Sequence, residues 1–330
     1  MLIVDAPLAA LSWLGRQGTR AVAALIAIGI ALPPVGAILK PCVTEAIFLL
    51  LCIAFLRVDI TAFRTYVRRP GIVIAASAWT SVAVPILFGV SCLIVGLDKT
   101  APELFIGLML QAVASPMMAA PAFAALMGLD ATLVLATLIV STALVPVTAP
   151  LFVLIFVGQG ISMSPLTLAV KLFAILGGSA AFGIVVRRAF GLAIIERQRE
   201  RINGVNVLLL FVFVAAVMEG VGKRFLVAPV GTVALAGLAF LMFFAVLFVT
   251  AALFLSVGRE RALALAFMAS QRNMGLMLAG TGGTLPDLTW LYFAFSQFPI
   301  YLSPHFLQPL TRRILGHGAV VCVAAQGSKT

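Results

Sequence analysis

Ten apolar runs limit what this chain can fold into. They lie at about residues 20–40, 44–56, 71–97, 102–127, 131–157, 165–186, 204–221, 230–257, 262–282 and 288–310. Crossing the hydrocarbon core of a bilayer takes about 20 residues of helix, and most of these runs are long enough. Lipid offers the backbone no hydrogen-bond partner, so each spanning run must satisfy its own N–H and C=O groups as a helix. With 63% hydrophobic and only 10% charged residues, a soluble chain of this length could not hide its apolar surface. The expected class is an all-α polytopic membrane protein of about ten transmembrane helices, a single transmembrane unit over residues 1–330. The second run is short and predicts an oblique helix, with Thr44 as its cap and Glu45 near the positive helix end.

The net charge of +11 does not point to nucleic acid, because the charges sit in short loops between apolar runs. With the N-terminus inside, Arg57, Arg64, Arg68 and Arg69 fall in one cytoplasmic loop, and Arg187, Arg188, Arg197, Arg199 and Arg201 in another. The outer side receives only Lys40, Lys99, Lys223 and Arg224. Such asymmetry implies an even number of spans with both termini cytoplasmic, in the cell or inner membrane. Lys171 lies in the sixth run and can snorkel outward, and Glu219 is spaced to pair with Lys223. The four cysteines show no CxxC spacing, so neither a disulfide framework nor a zinc site is indicated.

Two runs are interrupted near their middles. The ninth holds Ser270, Gln271, Arg272 and Asn273, followed by Gly275, Gly280, Gly282 and Gly283. An arginine at a helix centre costs about 2.5–3.5 kcal/mol on translocon scales. Arg272 therefore requires a partner, a water-filled cavity or a ligand; the plainer alternative is a snorkelling or carboxylate-paired arginine with a structural task. The fourth run holds Ser115, Pro116 and Pro121 among alanines. Each proline removes a donor and clashes with the preceding turn, so the pair predicts a break rather than a kink. The two interruptions stand five runs apart, and an odd number of spans inverts the second half. That is the pattern of a 5+5 inverted repeat, with halves 20–157 and 165–311 and discontinuous helices four and nine crossing.

The fifth run adds Ser141 and Thr142, and its repeat partner adds Gln297, which is costly to expose to lipid. The candidate substrate-binding set is therefore Arg272, Asn273, Gln271, Ser270, Ser115, Pro116, Gln297, Ser141 and Thr142. A guanidinium stays charged in proteins and holds a carboxylate or sulfonate bidentately, so the expected substrate is a small organic anion. His305 and His317 are the only histidines, and no run holds two acidic residues. No intramembrane catalytic set is formed, and the chain is not expected to be an enzyme.

The stretch APAFAALMGLDATLVLATLIVSTALVPVTAP, with Arg57 and Asp59 before it, resembles the bile acid:sodium symporter family. Pro116, Asp130, Val140, Ser141, Thr142, Pro146 and Pro150 match the family's fourth-to-fifth helix region. Arg261 and Ala262 match the start of its ninth helix, and Gln271, Asn273, Gly275 and Leu276 match further on if one residue is inserted. The resemblance runs over about residues 20–313. It implies ten helices in a panel and a core domain, with helices four and nine crossing, and it implies a secondary transporter. It also implies two sodium ions at the crossing, but the family's ligand positions fall on Thr80 in helix three, on 120–122 around Pro121, on Val134 and Leu138, and on Ala266. Sodium takes hard oxygen ligands, so no two-sodium site is expected to survive and no cofactor is expected. Helix four contains no cysteine, which argues against thiol-based arsenite export.

The expected function is alternating-access transport of a small organic anion with sodium coupling in doubt. The alternatives are a sodium-independent or proton-coupled carrier of a neutral polar solute, or a channel of the same fold. The expected partners are the small-molecule substrate and the lipid bilayer. Cysteines introduced at Arg64 and Lys99 should be labelled from opposite sides of the membrane; labelling from one side would overturn the ten-span topology.

Overall fold

The computed structural model describes residues 9, 11–14, 28, 33–57, 70–161 and 163–315. The first apolar run, much of the 57–69 loop and the chain ends lie largely outside these residues. Every regular element among the described residues is helical. Besides short helices at Leu97–Thr100 and Val221–Val227 and a few single 3₁₀ or π turns, they are in chain order α1 (Pro33–Leu39), α2 (Val43–Leu56), α3 (Pro70–Ala78), α4 (Val84–Ile94), α5 (Pro102–Val113), α6 (Ala120–Leu126) and α7 (Ala131–Phe152). They continue with α8 (Pro165–Arg197), α9 (Arg199–Val217), α10 (Pro229–Leu253), α11 (Arg259–Ser270), α12 (Met274–Gly280) and α13 (Asp287–Leu315). Among the described residues, six helices are long and apolar enough to cross a membrane: Pro34–Leu56, Pro70–Ile94, Ala131–Val157, Pro165–Arg197, Arg199–Val227 and Pro229–Leu253.

Three expectations from the sequence are corrected. The second span is not short: a 3₁₀ turn, Lys40–Cys42, carries α1 into α2 and makes one helix from Pro34 to Leu56. Pro41 stands in the first turn of that 3₁₀ segment, where the missing N–H costs little. Cys42, not Thr44, is therefore the residue before α2, and it makes no side-chain cap. Nor is 187–201 a loop. The residues there are strong helix formers, so α8 runs on to Arg197, broken only where Gly191 adopts φ 75°.

The chain divides into two compact units, each drawing on both expected repeat halves. The first comprises Met1–Val58, Ile161–Val233 and Gly275–Ala294. Small residues let its backbones approach: a Cβ at Gly36 would sit 2.5 Å from the Ala215 carbonyl oxygen, and one at Gly183 would sit 3.2 Å from the Leu56 nitrogen. Glu219 bonds Lys40 at 2.8 Å rather than Lys223. The reason is local, because α9 ends at Val217 and Gly220 turns left-handed at φ 81°. The four-residue spacing to Lys223 therefore does not lie along one helix. Lys40 also lies 4.7 Å over the Trp290 ring, beside a cavity of about 290 Å³ shared with Thr44, Gly282 and Gly283.

The second unit comprises Asp59–Gly160, Ala234–Met274 and Phe295–Thr330. Its core is built from Val73 and Ala76 of α3, Ala120 and Ala124 of α6, Leu133, Val134 and Ala136 of α7, Phe243 and Leu247 of α10, and Ala262 to Met268 of α11. Asp130 starts α7 by accepting the Leu133 N–H at 2.9 Å. The C-terminal end of α6 is closed by side chains of α13. Gln308 donates to the Leu126 carbonyl at 3.0 Å, and Thr311 to the Met127 carbonyl at 3.3 Å.

Gly36→Ala should lower the thermal unfolding midpoint of detergent-purified protein, at a cost of about 1–3 kcal/mol for overpacking. Gly71→Ala, where a Cβ meets nothing within 4 Å, should leave the midpoint unmoved.

Candidate functional site

Both interruptions read from the sequence are real breaks, and they pair with each other inside the second unit. α5 ends at Val113, with Ala114 already extended at ψ 146°. Ser115 precedes Pro116, and the residue before a proline is pushed away from the helical region. Pro121, expected within the break, instead stands in the first turn of α6, where proline is tolerated. α11 ends at Ser270, and Gln271 leaves the helix at ψ 89°.

Pro116 and Arg272 form an isolated antiparallel bridge. Met117 N–H donates to the Gln271 carbonyl, and Asn273 N–H donates to the Ser115 carbonyl, each at 2.7 Å. These bonds flank the Pro116–Arg272 pair, so the pair itself exchanges none. A proline can take that position because its nitrogen has no proton to give. The bridge thus satisfies two donors and two acceptors that the breaks would otherwise strand in lipid.

The Arg272 side chain completes the junction. It is 3% exposed, and its Nη1 donates to the carbonyls of Ala114 at 2.9 Å and Thr80 at 3.2 Å. Both acceptors lack ordinary helical partners. Ala114 is the last residue before the α5 break. Thr80 lies in a π turn, Trp79–Ala83, in which the Val84 N–H reaches back to Trp79 instead, and the next residue, Pro85, has no N–H. The turn is held from outside by the Trp79 indole, which donates to Thr250 Oγ1 at 2.9 Å. Arg272 Nε and Nη2 have no hydrogen-bond partner among the described residues. Those two atoms form one edge of the guanidinium fork, with parallel N–H groups suited to a carboxylate.

The remaining candidates divide. Gln271 Nε2 donates to Ser303 Oγ at 2.6 Å, and Ser303 in turn donates to the Ile300 carbonyl, so the amide orientation is fixed by its partner. Ser270 gives its hydroxyl to the Phe267 carbonyl at 2.8 Å and is turned into its own helix. Gln297 is buried, with Nε2 3.4 Å from Ser296 Oγ. Ser115, Ser141 and Thr142 are buried, and their hydroxyls have no hydrogen-bond partner among the described residues. Ser77 and Thr137 share that condition and were missed, since nothing in a single hydroxyl's spacing tells whether it will bond its own helix. The Thr80 carbonyl was missed as well, although Pro85 was a signal that a donor would be lacking there.

The positions that fall on sodium ligands by resemblance offer little to a cation. Val134, Leu138 and Ala266 are buried apolar side chains. The Thr80 hydroxyl donates to Ala76, and its carbonyl accepts from Arg272. Among the described residues, no group of three His, Cys, Asp or Glu could hold a metal ion.

The model of the Sodium Bile acid symporter family matches residues 44–229, more than half of the chain. The match includes Thr80, Ser115, Pro116, Ser141 and Thr142 and ends before Arg272. No curated protein matches the sequence.

Ser303→Ala should destabilise the protein by about 1–3 kcal/mol, because it strands the buried Gln271 amide. Thr148→Ala removes only a hydroxyl bonded to its own helix at Leu144, and should stay within about 0.5 kcal/mol. Chemical denaturation in mixed micelles measures both.

Proposed function

Because the chain belongs to the Sodium Bile acid symporter family, we propose that it is a secondary transporter moving a small organic anion by alternating access, without sodium. The chain is a membrane protein of a transporter family, so a small-molecule substrate and the lipid around it are its partners. That family role accords with the expectation that it is not an enzyme. We read the fold as ten helices in two inverted halves, with the interrupted fourth and ninth crossing at the Pro116–Arg272 bridge and both termini cytoplasmic.

The observation that carries this reading is the divided guanidinium of Arg272. Nη1 is anchored on two carbonyls while the Nε and Nη2 edge is left without a protein acceptor. A permanent positive charge then stands where the resemblance puts the family's ions, beside the Thr80 position and the bridge. It supplies by covalent attachment what sodium would otherwise bring. The oxygen-poor positions Val134, Leu138 and Ala266 support sodium independence. Ser115, Ser141 and Thr142 supply hydroxyls, and Asn273 and Gln297 supply amides, to the polar part of the substrate.

The bonds from Nη1 to Thr80 and Ala114 also favour a second reading, in which Arg272 is a structural tie and nothing more. Binding of taurocholate and cholate, followed by thermal shift in sodium and in choline buffers, separates the two. The first reading expects equal stabilisation in both buffers. Arg272→Gln is too short to reach the two carbonyls that Nη1 holds, while the main-chain bridge remains, so it should fold with a lowered unfolding midpoint and lose binding at least tenfold. Arg272→Lys should recover part of the binding, with the charge but not the fork. Strict sodium dependence in the wild type, or unimpaired transport by Arg272→Gln, would defeat the first reading.

A further inference from the structure

We infer that this carrier is an obligate anion exchanger: its site changes sides only when loaded, so one anion enters as another leaves. The inference rests on the reading of Arg272 as the substrate's anchor.

Two independent observations carry it. The first is that, among the described residues, no carboxylate bonds the guanidinium. Its bonded acceptors are two neutral carbonyls. The described carboxylates of the second unit all stand at helix starts: Asp98, Glu103 and Glu260 in first turns and Asp130 at an N-cap. Glu260 precedes Arg272 by nearly the full length of α11, about 18 Å at 1.5 Å per residue. No acidic side chain of these travels with the charge.

The second observation concerns hydroxyls. In the same unit Thr80, Thr148, Ser270, Ser303 and Thr311 each donate to a carbonyl of their own helix. That is how hydroxyls in membrane helices are commonly satisfied. Ser77, Ser115, Thr137, Ser141 and Thr142 do not, although each is more than nine-tenths buried. Thr137 and Ser141 are four residues apart on one face of α7, Ser77 of α3 is three residues before Thr80 of the π turn, and Ser115 adjoins the bridge. Like Nε–H and Nη2–H, these hydroxyls carry donors that the protein leaves unused, and such donors can turn toward the oxygens of an anion.

Alternating access takes the binding site through a state closed to both sides. A guanidinium shut away from water without a counter-charge is costly, whereas one paired with a carboxylate or sulfonate is compensated. The loaded carrier therefore crosses and the empty one stays. Exchange of one monoanion for another moves no net charge.

The test uses full-length protein in proteoliposomes with taurocholate as probe, after thermal shift has measured taurocholate binding. Uptake of labelled taurocholate is followed into vesicles loaded with unlabelled taurocholate or with buffer alone. Loaded vesicles should take up label at least tenfold faster, with no response to a sodium gradient or to a potassium–valinomycin potential. Arg272→Gln, which loses binding, should take up no label above protein-free vesicles whether or not they are loaded, so that the uptake is tied to the guanidinium. Equal wild-type uptake into both, or accumulation driven by sodium, would overturn exchange alone. Taurocholate that neither shifts the unfolding temperature nor crosses would overturn the anion reading beneath it.

Discussion

A helix cannot be interrupted in lipid unless something takes over the hydrogen bonds it gives up, and here the two interruptions serve each other. The backbone of Ser115–Met117 and that of Gln271–Asn273 exchange the N–H and C=O groups that α5, α6, α11 and α12 leave over. Two short extended segments thereby become as well satisfied as the helices around them. The small side chains nearby follow from this requirement. Ala114, Ala120, Ala266 and Ala269 are almost fully buried, and larger residues there would crowd the junction.

Arg272 extends the same logic from backbone to side chain. A charged group is retained in an apolar unit because it meets needs that no apolar residue could meet. It satisfies the carbonyl at the end of α5 and the carbonyl released by the π turn before Pro85. Trp79 matters in turn, since its bond to Thr250 helps hold the turn that presents Thr80. Removing any one of these parts would leave the others with unmet hydrogen-bonding capacity. The cost of the charge is thus shared among the π turn, the break and the site.

Much of this was legible in the sequence because it rests on local chemistry. Pro116 among alanines and Arg272 after Ser270 announce breaks through donor loss and charge cost, and their separation by five runs suggested that they correspond. What was not legible depended on neighbours. The partner of Glu219 is set by the left-handed Gly220, which removes Lys223 from its helix face. The span from Pro34 to Leu56 looked like two because Lys40 and Pro41 resemble a loop, yet one 3₁₀ turn carries the helix through. The π turn at Trp79–Ala83 has no local signature apart from Pro85, because its stabilising bond comes from Thr250, far along the chain. Apolar run length located the six membrane-length helices but not where they begin and end.

The bridge is made entirely of main-chain atoms, and its central pair exchanges no hydrogen bond at all. The side chains at Ser115, Gln271 and Asn273 are therefore not needed to hold it closed. Backbone pairing and side-chain chemistry are thus separable at this junction, because the two hydrogen bonds do not specify which side chains stand there. Side chains around the joint can therefore be exchanged while the two interrupted helices stay tied to each other through their backbones.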